Sequence, residues 1–264
     1  MKNIADLSEI DASNVKCVFF DIDDTITTSG KILPEAYQAL WKLKENGIKS
    51  IPITGRPAGW CDHIVRMWPV DAIVGENGAF YFRIDENSNF IKRYFFDEKI
   101  FKENRLKLNK VSDEILAKVS GTALASDQNY READLAIDFC EDVDHIGWDK
   151  VDDICDIFKE HGAICKVSSI HVNGWFGDYN KLSMTKFLVN ELFYEDLNNT
   201  ESNYIFCGDS PNDEPMFEFF SKSCGVKNVI EFKDKMDHLP SYIADHEGSL
   251  GFAQIVNTLL KKRS

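Results

Sequence analysis

The sequence predicts an α/β protein: a doubly wound parallel sheet interrupted by a smaller α+β insert. Strand-like and helix-like segments alternate through the first third of the 264 residues, the rhythm breaks near Asp85, and it resumes from Leu182. Strand, helix and strand at this spacing mean parallel strands joined by crossover helices.

Val15 to Phe20 reads as a buried strand. Pro34-Glu35 opens a helix with Ala36, Ala39, Leu40 and Leu43 on one face, and Asn46-Gly47 closes it. Ile48 to Ile53 is a second strand, ending in Thr54-Gly55-Arg56-Pro57. A short helix through Ile64 and a strand at Ala72-Ile73-Val74 follow; Gly75-Glu76-Asn77-Gly78 then leads into Ala79 to Phe82, its Asn-Gly step a hairpin signal. Asp85-Glu86-Asn87-Ser88-Asn89 is polar and turn-like, and marks the expected boundary.

The insert, residues 85–177, reads as a strand at Phe90 to Phe96, a helix over Asp97 to Ser120 and a strand at Leu135 to Phe139. A helix from Trp148 to His161 and strands at Ala163 to Val167 and Ser169 to Trp175 complete it, an order that suits an antiparallel sheet. The core is expected at residues 1–84 and 178–264. Its second part has a helix through Phe187, Leu188 and Leu192, and a strand Tyr204 to Cys207 that ends in Gly208-Asp209-Ser210-Pro211-Asn212-Asp213. A helix with Met216 and Phe220, a strand near Cys224 to Val226 and a last helix from Gly251 to Leu260 follow.

Composition is that of an ordinary globular protein, 44% hydrophobic and 28% charged. A net charge of -14 argues against general affinity for nucleic acid or an anionic membrane surface. The acidic start MKNIADLSEIDAS has no apolar stretch, and no run approaches the ~18 apolar residues of a membrane span. Seven scattered cysteines, an odd number without a Cys-x-x-Cys pair, fit free thiols in a reducing compartment. A cytoplasmic protein acting on a small molecule is the expectation; oligomeric state is not legible.

Three apolar strands end in polar chemistry: Phe20 runs into Asp21-Ile22-Asp23-Asp24-Thr25, Ile53 into Thr54-Gly55-Arg56-Pro57, and Cys207 into the Asp209 to Asp213 segment. Ligands of open parallel sheets sit at the carboxyl ends of strands. Folding would gather Asp21, Asp23, Thr54 and Asp209 there, and a hard divalent cation shared by oxygen ligands would offset their repulsion, which suits Mg²⁺. Taken singly, each segment is also ordinary turn or helix-cap chemistry; the three together are the signal. Gly30-Lys31 is followed by Ile, so there is no P-loop; Ile26 and Ile32 stand where a calcium loop needs Gly and Glu; no histidines pair at helical metal spacing.

These motifs resemble those of haloacid dehalogenase superfamily phosphatases, most closely the IIB-type subgroup that includes sucrose phosphatase and mannosyl-3-phosphoglycerate phosphatase. DIDDTIT is similar to the family's DxDxT motif, TGRP to its Ser/Thr motif and GDSPND to its acidic metal motif. The resemblance implies a Rossmann-like core with an inserted cap. It implies Asp21 as the nucleophile that takes the phosphoryl group, Asp23 as acid and base, and Thr54 as a phosphoryl contact. Mg²⁺ would be held by Asp21, Asp209 and the Asp23 carbonyl, supported by Ser210, Asn212 and Asp213. Where the family shows Lys-Gly at a helix start, this chain has Asn180-Lys181-Leu182; Lys181 is preferred, with Lys186 the alternative. Asp24, where many relatives have Gly, reads as a loop residue.

Further candidate substrate contacts are Gly55, Arg56, Asn77 and Arg131, with Arg83 a second possible anion anchor. In the insert, His171, Asn173 and Trp175 alternate onto one strand face that suits a sugar, or that simply faces solvent. The expected activity is a Mg²⁺-dependent phosphatase of a small phosphorylated metabolite, a sugar phosphate before others. A phosphomutase of the same subgroup and a non-catalytic sensor of a phosphometabolite are the alternatives.

Overall fold

The computed structural model describes residues 1–168 and 170–263; Ser169, the first residue of an expected strand, lies outside them. Six strands form the central sheet, in the order Lys2–Asn3, Tyr242–Ile243, Ser223–Gly225, Tyr204–Gly208, Cys17–Phe20, Lys49–Pro52. Every neighbouring pair is parallel. A parallel bridge between Ile53 and Val74 carries the array on to Ile73–Gly75.

The run Cys17-Val18-Phe19-Phe20 shows why the sheet is wound on both faces. All four residues are buried. Val18 and Phe20 pack with Ala39, Leu40 and Val256 from the helices Pro34–Glu45 and Gly248–Arg263. Cys17 and Phe19 pack on the other face with Leu188, Met216 and Phe220. At about 1.5–3 kcal/mol for each large apolar side chain buried, this strand needs cover on both sides.

A second, four-stranded antiparallel sheet runs Ile164–Val167, His171–Trp175, Leu135–Asp138, Ala123–Leu124. Helices Glu98–Lys118 and Trp148–Glu160 give it a separate core through Leu108, Val111, Ile154 and Phe158. The expected boundary at Asp85 differs from what is seen. Phe90–Tyr94 pairs antiparallel with Phe80–Ile84, and Phe90, Tyr94, Phe95 and Phe96 pack on the main core. The cause is local: Asp85 Oδ1 accepts hydrogen bonds from Asn87 N at 2.9 Å and Asn89 N at 2.7 Å. The polar stretch is therefore a tight turn, and the separate core begins only at the helix Glu98–Lys118.

Two small features had no sequence signal. Lys2–Asn3 adds an edge strand, and Thr27–Thr28 pairs with Lys31–Ile32 as a hairpin beside the Asp21 loop. Among the described residues, no helix is long and apolar enough to cross a membrane. Cys17, Cys61, Cys155, Cys165, Cys207 and Cys224 are free thiols.

Candidate active site

The parallel register brings the three motif loops to one edge. Phe20 pairs with Cys207 on one side and Pro52 on the other. The ladder continues where Asp21 N donates to the Cys207 carbonyl at 2.9 Å and Ile53 N to that of Phe20 at 2.8 Å. Asp21, Thr54 and Asp209 are consequently buried neighbours at the strand ends.

Lys181 opens the helix Lys181–Phe193, whose start is fixed by a capping box between Asn180 and Ser183. Its Nζ lies 2.9 Å from Asp21 Oδ1 and 2.7 Å from Asp213 Oδ1, and the residue is 2% exposed. Burial alone would lower the lysine pKa; the Asp21 and Asp213 carboxylates outweigh it and hold the pKa above its ordinary value. Lys186 instead sits over the Phe219 ring, 4.3 Å from its centroid. The turn at Gly78, with φ of 109°, seats the helix start: a Cβ there would lie 2.2 Å from the Asn180 carbonyl oxygen.

Asp21, Asp209 and Asp213 each place a carboxylate oxygen within 4.8 Å of the others. Asp213 is fully committed: one oxygen takes Lys181, and the other accepts from Asp209 N at 3.0 Å and Ser210 N at 3.4 Å. Asp209 accepts from Thr25 Oγ1 at 2.8 Å and Asn228 Nδ2 at 3.3 Å, two partners that sequence reasoning missed. Asp21 Oδ1 is buried and, although close to Lys181, has no aligned hydrogen-bond donor. Burial pushes the Asp21 carboxyl up to about 7, Lys181 opposing, Asp213 and Asp23 adding. Burial, then Asp213 and Asp21, raises that of Asp209. An orphaned carboxylate oxygen beside a second strained carboxylate is the donor set a hard cation fits. Ser210 Oγ meets Asn212 Oδ1 at 2.9 Å, next to the cluster.

The Asp23 carboxylate stands apart from this trio. Arg56 grips it as a fork, with Nε 3.0 Å from Oδ2 and Nη2 2.9 Å from Oδ1. The same guanidinium reaches Glu141 at 3.0 Å and Asp127 at 3.3 Å, and lies over the Trp60 ring at 4.3 Å. Arg56, expected as a substrate contact, is thus paired with three carboxylates. Arg131 is similarly engaged by Asp127 and Asp134 and donates to the Gly55 carbonyl at 2.8 Å. Thr54 is buried, its Oγ1 accepting from Arg56 N at 3.0 Å. Asn77 is buried beside Gly55 with its Nδ2 unpartnered. Arg83 sits on the hairpin strand Phe80–Ile84, opposite Ile91.

From the insert, His171 and Asn173 reach the site. His171 Nε2 is 2.9 Å from Glu141 Oε2, and Asn173 Nδ2 donates to Asp134 at 3.0 Å. His171 and then Arg56 hold the Glu141 carboxyl down at about 2, burial opposing. With Asp21, Asp23, Arg56 and Arg131 these residues enclose a cavity of only about 10 Å³. Trp175 corrects the expected sugar-binding face. It is 1% exposed, donates through Nε1 to the Tyr179 carbonyl at 3.1 Å and stacks on that ring. The strand His171–Trp175 is buried along its whole length, so alternation leaves it no free face.

The sequence profile of one family, described as haloacid dehalogenase-like hydrolase, matches residues 18–247. No curated protein sequence matches the chain. Among solved structures, a Thermoplasma acidophilum protein superposes with a TM-score of 0.71 at 18% identity, over 93% of this chain and 98% of its own. The sucrose-phosphatase of Synechocystis, in complex with sucrose and phosphate, does so at 0.65 and 16%, over 92% and 97%. A HAD/COF-like hydrolase from Plasmodium vivax gives 0.68 and 15%, over 96% and 98%. At these identities the likeness is one of fold.

Proposed function

Because the chain belongs to the haloacid dehalogenase-like hydrolase family, we propose that it is a Mg²⁺-dependent phosphatase of a small phosphorylated metabolite. The observation that carries this reading is the buried Lys181 set between Asp21 and Asp213 at 2.9 and 2.7 Å, with Asp209 beside them.

Asp21 is the nucleophile: its carboxylate oxygen attacks phosphorus, an acyl phosphate forms, and the bond from phosphorus to the alcohol oxygen breaks. Lys181 keeps Asp21 oriented and offsets negative charge as the phosphoryl group arrives. Asp23 gives its proton to the departing oxygen and later takes one from the water that hydrolyses the acyl phosphate. Thr54 would donate its hydroxyl to an oxygen of the transferred group. Mg²⁺, held by Asp21, Asp209 and the Asp23 carbonyl, would supply charge neutralisation on the phosphoryl oxygens.

Arg56 sets a condition on this scheme. A guanidinium fork occupies both oxygens of the Asp23 carboxylate, so contact with a leaving oxygen requires Arg56 to loosen. Its other partners, Asp127 and Glu141, lie between the elements of the second sheet. A cavity of about 10 Å³ takes one water at most. Substrate entry and release of Asp23 are therefore one motion of the insert against the core. Sugar phosphates are the substrates to try first, since a sucrose-phosphatase shares this fold.

Phosphate release from a panel of phosphomonoesters with Mg²⁺ tests the proposal. Chelation and Asp21→Asn, each at unchanged folded fraction, are expected to lower turnover by at least ~10³-fold. Full turnover under either condition overturns it.

A further inference from the structure

Asp23 and Arg56 form a partition between two spaces. On one side is the 10 Å³ site cavity; on the other is a cavity of about 570 Å³ between the Thr27–Thr28/Lys31–Ile32 hairpin and the helix Ala58–Met67. A further large cavity, about 590 Å³, touches Asp24 and Asp209 but not Asp23. The leaving oxygen must meet Asp23 to take its proton, and of these three spaces only the 570 Å³ cavity offers that carboxylate more room than one water.

Its walls describe what fits. Ile32, Trp60, Trp68 and Tyr130 supply mostly apolar, aromatic surface, and the polar side chains other than the partition include only Lys31, His63 and Thr27. Trp60 is 42% exposed and Tyr130 60% exposed, two large rings lining one cleft, with the Arg56 guanidinium over one face of Trp60. A flexible polyol would strand its hydroxyls against these rings, whereas a flat ring would cover them. Of the insert groups first expected to hold the leaving group, Asn173 donates to Asp134 and His171 Nε2 lies 2.9 Å from Glu141 Oε2.

We propose that this cavity receives the leaving group, and that the released alcohol carries a ring with an apolar face, laid against Trp60 and Tyr130. An aromatic ring and the C–H face of a pyranose share that chemistry. The inference rests on the phosphatase reading and deepens it: as the acyl phosphate forms on Asp21, the electron pair of the broken bond stays on the alcohol oxygen, which takes the Asp23 proton. The alcohol then leaves through the cleft.

The test compares kcat/KM for benzyl phosphate, glucose 6-phosphate and glycerol 3-phosphate, with Mg²⁺, in the wild type, Trp60→Ala and Trp60→Phe. At least one ring ester should exceed the acyclic one by ~10-fold or more, and Trp60→Ala should shrink that ratio to within ~3-fold while Trp60→Phe keeps most of it. A preference for benzyl phosphate identifies an aromatic ring; one for glucose 6-phosphate identifies a pyranose. An acyclic ester turned over as well as both ring esters, or a ratio unmoved in Trp60→Ala, overturns the inference. If no ester is hydrolysed, the phosphatase reading fails, and calorimetry of Asp21→Asn with benzyl alcohol or methyl glucoside decides the cavity alone. Binding of either that is lost on adding Trp60→Ala supports it; binding of neither overturns it.

Discussion

At Gly78 a single missing methyl group determines where Lys181 can sit. The residue has φ of 109°, and an added Cβ would fall 2.2 Å from the Asn180 carbonyl oxygen, a backbone atom that cannot swing aside. Gly78→Ala should therefore displace the helix start that carries Lys181. The expected result is a loss of ~1–3 kcal/mol of stability together with a fall in kcat; unchanged melting temperature and unchanged kcat would refute the placement. Lys181 was legible in the sequence, as were Asp21, Thr54 and Asp209, because each directly follows a strand or opens a helix. Thr25, Glu76, Asp127, Glu141 and Asn228 were not. Thr25 meets Asp209 across 184 residues and Glu141 meets Arg56 across 85, so no local pattern could announce them. Arg56 was singled out but given the wrong company, since a Thr-Gly-Arg-Pro turn says nothing about which carboxylates will surround it.

Between elements, one concentrated contact is the Glu76 carboxylate. It lies in the 3₁₀ turn Glu76–Gly78 and accepts from the backbone N–H of Ala58 at 3.0 Å, Glu132 at 2.8 Å and Asp134 at 3.0 Å, and also from Ala133. One buried side chain thus ties the helix Ala58–Met67 to the segment that leads into the strand Leu135–Asp138. Removing it strands several buried N–H groups, at about 1–3 kcal/mol each before relaxation. Glu76→Ala should cost ~2–4 kcal/mol and speed amide exchange at residues 132–134; wild-type protection there would show that the tie does not hold the segment. The strand His171–Trp175 shows where pattern reading stops. Alternation correctly sends His171 and Asn173 the same way, but period alone cannot reveal that a strand is covered on both faces, and Trp175 was misread for that reason. The Asp85 turn was misread likewise: a polar run signals a bend, and only the pairing beyond it tells a hairpin from a linker.

Across the whole molecule, buried carboxylates tie stability to pH. Asp21 and Glu76 are each pushed up to about 7, burial the main cause, and Asp209 is also raised. A carboxyl whose folded pKa lies above its unfolded value binds more protons when folded, so stability falls as pH rises from about 4 to about 7. Glu141, held down at about 2, loses its contribution only as pH falls below about 4.5, so it does not change between pH 5 and pH 7.5. The metal-free melting temperature should be higher at pH 5 than at pH 7.5, the difference should shrink in Asp21→Asn, and Mg²⁺ at 100 times its Kd should restore about 2.7 kcal/mol at pH 7.5. A melting temperature that rises over this range without metal would contradict the assignment. The fold class was readable because its two rhythms, parallel alternation and antiparallel insert, occupy separate stretches of chain. Their interleaving has a consequence for synthesis. Cys17–Phe20 is paired on one side by Tyr204–Gly208, and the Thr25 to Asp209 contact shows the separation, 184 residues. At about 5–20 residues per second the first strand waits roughly 10 to 40 s on the ribosome for that neighbour. Meanwhile residues 98–175 have emerged with a core of their own. The middle of the chain is equipped to fold first, while an apolar edge at Val18, Phe19 and Phe20 stands open until the strand Tyr204–Gly208 arrives to pair with it.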